Sequence, residues 1–385
     1  MELTNEDLLQ LNVMMVQNPH AVRIDESRMQ VFGLMENAEA HIDLNPPDKH
    51  EQYVRRVREF LSGYVLGSPG GYPVLISRWT RMGQTRGENL QRLLMLGEPE
   101  AVMAVVHAEE LTPELGRRAW WCMPESENAR RMLEKEAIVN SDLGPVLADH
   151  LFEHLAFETE PGPMIDSVCL MLQGELIDED RKQELWRTSQ RNNVCLIGFL
   201  KSSVKAMPHG QAAHKAYGDA NKILKQLKDN RFSVKLRWLL SEEGQGFLDT
   251  AYTVFKKPAN QDVVVYLLDT LQEKMADMLP VLQDQSPDKI AEINRQTAQL
   301  MDIGSDKFAR ADQEWKVLIH KLNENHVLLS LLESLLWVAH MSELLVTHIF
   351  SQTTAEGTLM RKKLKPVTEH IFQRFDHLLG RCQSR

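Results

Sequence analysis

Leu90-Gln91-Arg92-Leu93-Leu94-Met95-Leu96-Gly97-Glu98-Pro99-Glu100-Ala101-Val102-Met103-Ala104-Val105-Val106 sets the architecture of this chain. Apolar residues recur at three- and four-residue spacing on both sides of Gly97-Glu98-Pro99, the pattern of two short amphipathic helices parted by a tight break. The texture continues downstream. Thr112-Pro113 puts a capping hydroxyl before a proline in the first helical turn, and Leu115, Ala119 and Trp120 form the next stripe. Pro124 breaks that helix, and Ser126 is placed to cap a fourth that reaches Ile138. Helices this short cannot bury an apolar stripe alone, so they must stack. The expected fold is mainly α, with stacked helical hairpins of the α-solenoid or HEAT-like kind.

Upstream the pattern differs. Thr4 followed by Asp7 resembles a capping box for a first helix through Leu8, Leu11 and Met15, which Asn18-Pro19 ends. Val22 and Ile24, then Met29 with Val31 or Phe32, then Ala40, Ile42 and Leu44 alternate with polar residues, with turn residues at Glu26-Ser27 and Asn37. That alternation predicts a small antiparallel meander. Asn45-Pro46-Pro47-Asp48 breaks the chain and supplies a cap, and Tyr53, Val54, Val57, Phe60, Leu61 and Tyr64 mark one helix face. Gly67-Ser68-Pro69-Gly70-Gly71-Tyr72-Pro73 lacks both phosphate-loop and dinucleotide spacing, so a surface turn entering a strand at Val74 to Ile76 fits it better. The N-terminal residues therefore form a small α+β cap.

Short helices continue from Pro145 to Leu279, with a linker or lid expected at Met207-Pro208-His209-Gly210 and a break at Gln283 to Asp288. Beyond it breakers are fewer. Lys307 to His348 reads as one long helix or two, and Pro366 to Leu379 as a closing helix preceded by the basic run Arg361-Lys362-Lys363-Leu364-Lys365. The expected division is a cap over 1–87, stacked short helices over 88–282, and a C-terminal helical bundle over 283–385 that packs on itself, on the preceding helices or on a second subunit as a homodimer.

The totals exclude several classes. A net charge of −10 with no dense basic face argues against a nucleic-acid partner. The acidic start is unlike a signal peptide, and Glu333, His340 and Glu343 interrupt the most apolar run, Val327 to Val346. No membrane insertion and a cytoplasmic location are expected. Cys122, Cys169, Cys195 and Cys382 are widely spaced and include no C-x-x-C, which supports neither disulfides nor a zinc ribbon.

Chemistry-bearing residues are sparse. His340, His348, Glu333 and Glu343, with His370 and His377, could face inward in the tail, but the paired Glu-x-x-His units of bundle metal sites do not occur. No metal and no cofactor is expected, and no residue set forms a catalytic constellation. Cys122, behind two tryptophans, reads as core; Cys382, between Arg381 and Gln383, is the candidate reactive thiol. Trp120-Trp121 is the candidate partner surface, because adjacent helical positions point about 100° apart and one ring can face a groove.

Four stretches carry a family resemblance: Leu93 to Val102, Arg117-Arg118-Ala119-Trp120-Trp121, Glu127-Asn128-Ala129-Arg130-Arg131-Met132-Leu133, and Lys257 to Val265. They are similar to the DsrS family, which is encoded with the reverse dissimilatory sulfite reductase cluster of sulfur-oxidising bacteria. The similarity spans roughly residues 1–280. It implies a soluble cytoplasmic accessory protein in sulfur oxidation, with a regulatory role, and transfers no catalytic residue. Two functions follow as expectations. The first is a non-enzymatic scaffold or regulator that contacts proteins of the sulfur-oxidation machinery. The alternative is a persulfide carrier or enzyme of the same pathway acting through Cys382.

Overall fold

The computed structural model describes residues 2–47, 49–67, 87–202, 207–208, 210–281 and 286–381. The chain is mainly helical with a small three-stranded sheet near its N-terminus. It forms two compact units, Met1–Ala156 and Phe157–Arg385. The sheet and the first short helices thus share one unit, and the breaks at 207–210 and 283–288 both fall inside the second.

In the first unit, α1 (Asn5–Val16) starts where the Thr4 side chain accepts the Asp7 N–H at 3.2 Å. Asp7 itself is buried. It accepts the Tyr53 hydroxyl, and it accepts the Asn45 N–H at 3.1 Å. One carboxylate therefore ties α1 to α2 (His50–Leu66) and to the end of the sheet. The sheet is the expected meander, β1 (Ala21–Asp25), β2 (Gln30–Leu34) and β3 (Glu39–Asp43), antiparallel with Arg23, Phe32 and His41 in one cross-strand row. Val22, Val31 and Ile42 fill the face under α1, where the Met14 sulfur lies so close to Gly33 that a Cβ there would sit 2.9 Å from it. The outer edge of β1 receives the Leu94 carbonyl, which accepts the Val22 N–H at 2.8 Å.

The α2 helix begins at Lys49, whose φ of +29° is unusual for a side-chain-bearing residue. The capping role expected of Asp48 lies outside the described residues. Gly67 ends α2 in the left-handed conformation, φ +69°, donating to the Gly63 carbonyl at 3.0 Å. The strand expected at Val74 to Ile76 also lies outside the described residues. The short helices then follow: α3 (Gly87–Leu93), α4 (Pro99–Val106), α5 (Pro113–Cys122), α6 (Ser126–Leu133), α7 (Glu136–Val139) and α8 (Leu143–His154). Successive pairs stack, α3 on α4, α4 on α5 and α6 on α8, as their lengths require. Ser126 is not a cap. It occupies the first turn of α6 behind Glu125, and its hydroxyl turns to His150.

The second unit contains α9 (Pro161–Met171), α10 (Glu179–Ser189), α11 (Asn193–Lys201), α12 (Tyr217–Leu224), α13 (Arg231–Leu240), α14 (Glu242–Lys256) and α15 (Gln261–Met275). They are followed by α16 (Ile290–Met301), α17 (Asp306–Ala309), α18 (Gln313–Leu322), α19 (His326–Ala339), α20 (Leu344–Phe350) and α21 (Gly357–Leu378). Two helices are central. Every residue of α11 from Val194 to Leu200 is buried, and α9, α10, α14 and α15 pack around it. Gly198 permits the α9 crossing: a Cβ there would lie 2.5 Å from Val168 Cβ and 2.8 Å from the Ile165 carbonyl oxygen. The second centre is α19, which α15, α16, α18 and α21 surround. Gln245 joins the two neighbourhoods, donating to the Leu239 carbonyl at 2.9 Å and to the last carbonyls of α21 through Leu378 at 3.0 Å.

Two expectations for the tail are corrected. Lys307 to His348 is neither one helix nor two, because Ala311-Asp312, Asn325 and the turn after Ala339 divide it into α17 to α20. Asn325 caps α19 by accepting the Leu328 N–H at 3.0 Å, which favours a fresh start there. The closing helix begins at Gly357 and passes through Pro366, so the basic run lies within its first half and does not precede it. Pro366 is exposed and α21 tolerates the missing N–H on its solvent face. Among the described residues no single helix is long and apolar enough to cross a membrane; α19 and α20 qualify only as a pair, bent by 51°.

Candidate partner-binding site

The α5 helix positions both predicted tryptophans. Thr112 accepts the Leu115 N–H at 3.3 Å, Pro113 follows it, and Leu115, Gly116, Ala119 and Cys122 form the buried stripe. Trp120 and Trp121 fall on either flank of that stripe, and both are half-buried. Each has a distinct set of partners.

Trp121 is held against the sheet. Its indole N–H donates to Glu39 Oε2 at 2.9 Å, and its ring lies 4.9 Å from the Arg23 guanidinium. That guanidinium also sits 4.7 Å from the Phe32 ring, and Arg23 pairs with Glu39 at 3.7 Å. Phe32 stacks in turn on His41, with centroids 6.3 Å apart. An arginine between two aromatic faces is favourable on quadrupole grounds, and here it joins α5 to β1 and β2.

Trp120 turns the other way, edge-on to His150 with centroids 4.8 Å apart. His150 stacks on His154 at 3.9 Å, and His154 Nδ1 lies 2.9 Å from the His150 carbonyl. Burial, helped by the neighbouring His154, lowers the His150 pKa and favours the neutral ring. Ser126 Oγ is 3.5 Å from His150 Nε2, at the outer limit of a hydrogen bond. Among the described residues no carboxylate engages the other ring nitrogen, so this Ser–His pair has no orienting third group.

Between the two tryptophans and the start of α8 lies a cleft of about 660 Å³. Its apolar lining is Leu34, Met35, Trp120, Trp121, Leu143 and Val146, the last 49% exposed. Charges of both signs edge it: Arg117 pairs with Asp142, and Arg118 with Glu114. An aromatic and aliphatic centre inside a two-sign polar rim is the composition of a protein-binding patch.

The other predicted residues are placed as follows. Cys122 is core, its thiol 3.7 Å from the Val22 carbonyl, and burial pushes its pKa up to about 12. Burial likewise raises Cys195 to about 11 and raises Cys169. Cys382 and His209 lie outside the described residues. In the tail, His340 is buried whereas His348 and Glu343 are exposed, so the four suggested ligands do not converge. Among the described residues no cluster of three metal-ligating side chains occurs. His370, His377 and Glu333 do line one cleft of about 440 Å³ with Asn294 and Arg374. His377 has both ring nitrogens engaged by hydroxyls of α19, Ser334 at 2.8 Å and Ser330 at 3.4 Å. Compared with protein-family models, curated proteins and solved structures, the chain matches none.

Arg23, Phe32, His41 and Glu39 escaped sequence-level selection. Period-2 alternation does put Arg23, Phe32 and His41 on the solvent face of a meander, but no spacing rule links that face to a tryptophan about 100 residues later. His150 and His154 had a readable signal, since four-residue spacing stacks side chains on a helix.

Proposed function

We propose that this chain is a non-enzymatic accessory protein, a scaffold or regulator of cytoplasmic sulfur oxidation, that binds a protein partner through the cleft beside Trp120. The cleft carries the proposal. Its volume falls within the usual range for binding pockets, and its centre is aromatic and aliphatic. Its Arg117–Asp142 rim pair is exposed and can exchange for partner charges at little cost, while Arg118, largely covered, presents its Glu114 partner to solvent. The occupant that fits is a short amphipathic segment of a partner protein, with one large apolar anchor flanked by an acidic and a basic residue. The resemblance to the DsrS family supplies the pathway, and helical surfaces suit protein contact.

The test places a photo-crosslinking residue at Val146 in the cleft and, as control, at Val234, which is 48% exposed in the other unit. Cells growing on sulfur should give one discrete adduct from position 146, with a protein of the sulfur-oxidation machinery, and it should vanish in Trp120→Ala. Equal adducts from both positions, or none from 146, together with unchanged sulfur oxidation in a deletion strain, would sink the proposal.

A further inference from the structure

A different surface of the first unit has the build of a strand-accepting groove. α1 and β3 wall a groove of about 610 Å³, with Leu9, Val13 and Met14 on one side and Ala40, Ile42 and Asp43 on the other. Leu9 and Val13 stand one helical turn apart and are 65% and 52% exposed, so the helical wall carries an open apolar pair among the polar Glu6, Gln10 and Gln17.

The second wall is a sheet edge. β3 is the last strand in the order β1-β2-β3 among the described residues. The bonds Leu44 N–H to Met29 O, 2.8 Å, and Met35 N–H to Ala38 O, 2.9 Å, fix the phase of pairing. Ala40 and Ile42 therefore direct their amides and carbonyls to β2, and Glu39, His41 and Asp43 direct theirs outward. Asn45, next in the outward series, already gives its N–H to Asp7 at 3.1 Å, and its side chain reaches the Asp43 carbonyl at 3.4 Å. The remaining outward groups of Glu39, His41 and Asp43 have no backbone partner among the described residues.

We propose that this groove takes an extended segment of a partner protein as a fourth strand, one in which apolar residues alternate with lysine or arginine. An added strand sends alternate side chains to opposite faces. On the α1 face they meet Leu9, Val13 and Ile42. On the other face they stand beside His41, Asp43 and Glu39, the last already paired with Arg23. The charge on offer is therefore that of Asp43 and of Glu6, in a groove with no lysine or arginine in its lining. A basic alternation matches this charge. A second copy of the chain does not: antiparallel pairing of β3 with itself about His41 sets Glu39 against the second copy's Asp43, twice, and like charges directly opposite are destabilising. The same acidic side chains that guard the edge against self-pairing leave it open to a strand of opposite charge.

The test uses the full chain and a fluorescent, end-capped octapeptide of alternating Val and Lys, with the alternating Val–Glu octapeptide as control. The Val–Lys peptide should bind at least about tenfold more tightly at physiological salt, and slow hydrogen exchange at the Glu39, His41 and Asp43 amides. His41→Pro removes one outward donor without touching a bond to β2 and should weaken binding about tenfold. The double variant Leu9→Ser, Val13→Ser alters only exposed side chains and should do the same if the proline variant misfolds. Equal binding of the two peptides, protection confined to other amides, or protection of these three by dimerisation without peptide would each overturn the proposal.

Discussion

Trp121 donates its indole N–H to Glu39 Oε2 at 2.9 Å, across 82 residues of chain. That bond and the Arg23 guanidinium beneath the ring fasten α5 to the sheet. Trp121 is therefore a structural clasp as well as part of the cleft lining, whereas Trp120 meets α8 through His150.

The two tryptophans should separate by mutation. Trp121→Phe keeps a ring on Arg23 and loses the donor, a cost of about 1 kcal/mol. Trp121→Ala loses both, about 2 kcal/mol, less than a fully buried ring would cost. In the Trp121→Ala background only the Phe32 stack and the Glu39 pair of Arg23 remain to be lost. Arg23→Ala should therefore cost less there than in the parent, a coupling that urea unfolding of the four-member cycle measures. Additive losses would show that the Arg23–Trp121 stack contributes nothing.

The cysteines should divide as well. Burial holds Cys122 near 12 and Cys195 near 11, so at pH 8 their thiolate fractions lie about a hundredfold or more below an ordinary thiol's. Iodoacetamide should leave both unmodified in the native protein and label them in urea. Polysulfide should likewise add no sulfur to either in the folded state. A native mass gain on Cys122 or Cys195 contradicts this burial; a gain on Cys382 alone, abolished by Cys382→Ser, would favour the sulfur-carrier alternative.

Glycine positions test the packing of the second unit. Gly198→Ala drives a Cβ to 2.5 Å from Val168 and 2.8 Å from a backbone oxygen, and should cost about 2–3 kcal/mol. Gly63, in the last turn of α2, has nothing within 4 Å of the same atom, so Gly63→Ala should gain about 0.5 kcal/mol. Thermal unfolding reads both, and a Gly198→Ala protein as stable as the parent would mean that α9 and α11 cross less closely.

Local chemistry made much of this fold readable. Thr4 and Thr112 each cap a helix as their spacing predicts, and the alternation around Val22, Val31 and Ile42 forms the meander. Readability failed where a distant partner decides. Ser126 looks like a cap until His150 arrives beside it, and Pro366 looks like a helix start until its face proves to be solvent. Adjacent helix positions marked Trp120 and Trp121 as diverging, yet the Arg23–Glu39 partner pair and the edge phase of β3 depend on strand register, which no single stretch encodes.

His340 gives the fold a titratable weak point. It is 2% exposed, Nδ1 lies 2.7 Å from the Leu336 carbonyl, and buried Nε2 has no partner among the described residues. The carbonyl only accepts, so the proton sits on Nδ1 and the ring is neutral. Burial pushes its pKa down to about 4, with the Lys307 cation acting in the same direction and Glu292 opposing it. A depressed pKa means that the unfolded chain binds the proton first as pH falls below about 6.5. The contribution is whole above that value and is lost progressively toward pH 4, about 3 kcal/mol in all. His340→Gln retains a donor for Leu336 and cannot titrate, so its urea stability should lose less than the parent's between pH 7 and pH 4.5. The difference between the two slopes isolates His340 from His150, His214 and His377, whose pKa values are also lowered. Identical slopes would mean that water reaches Nε2 and the site is not dry.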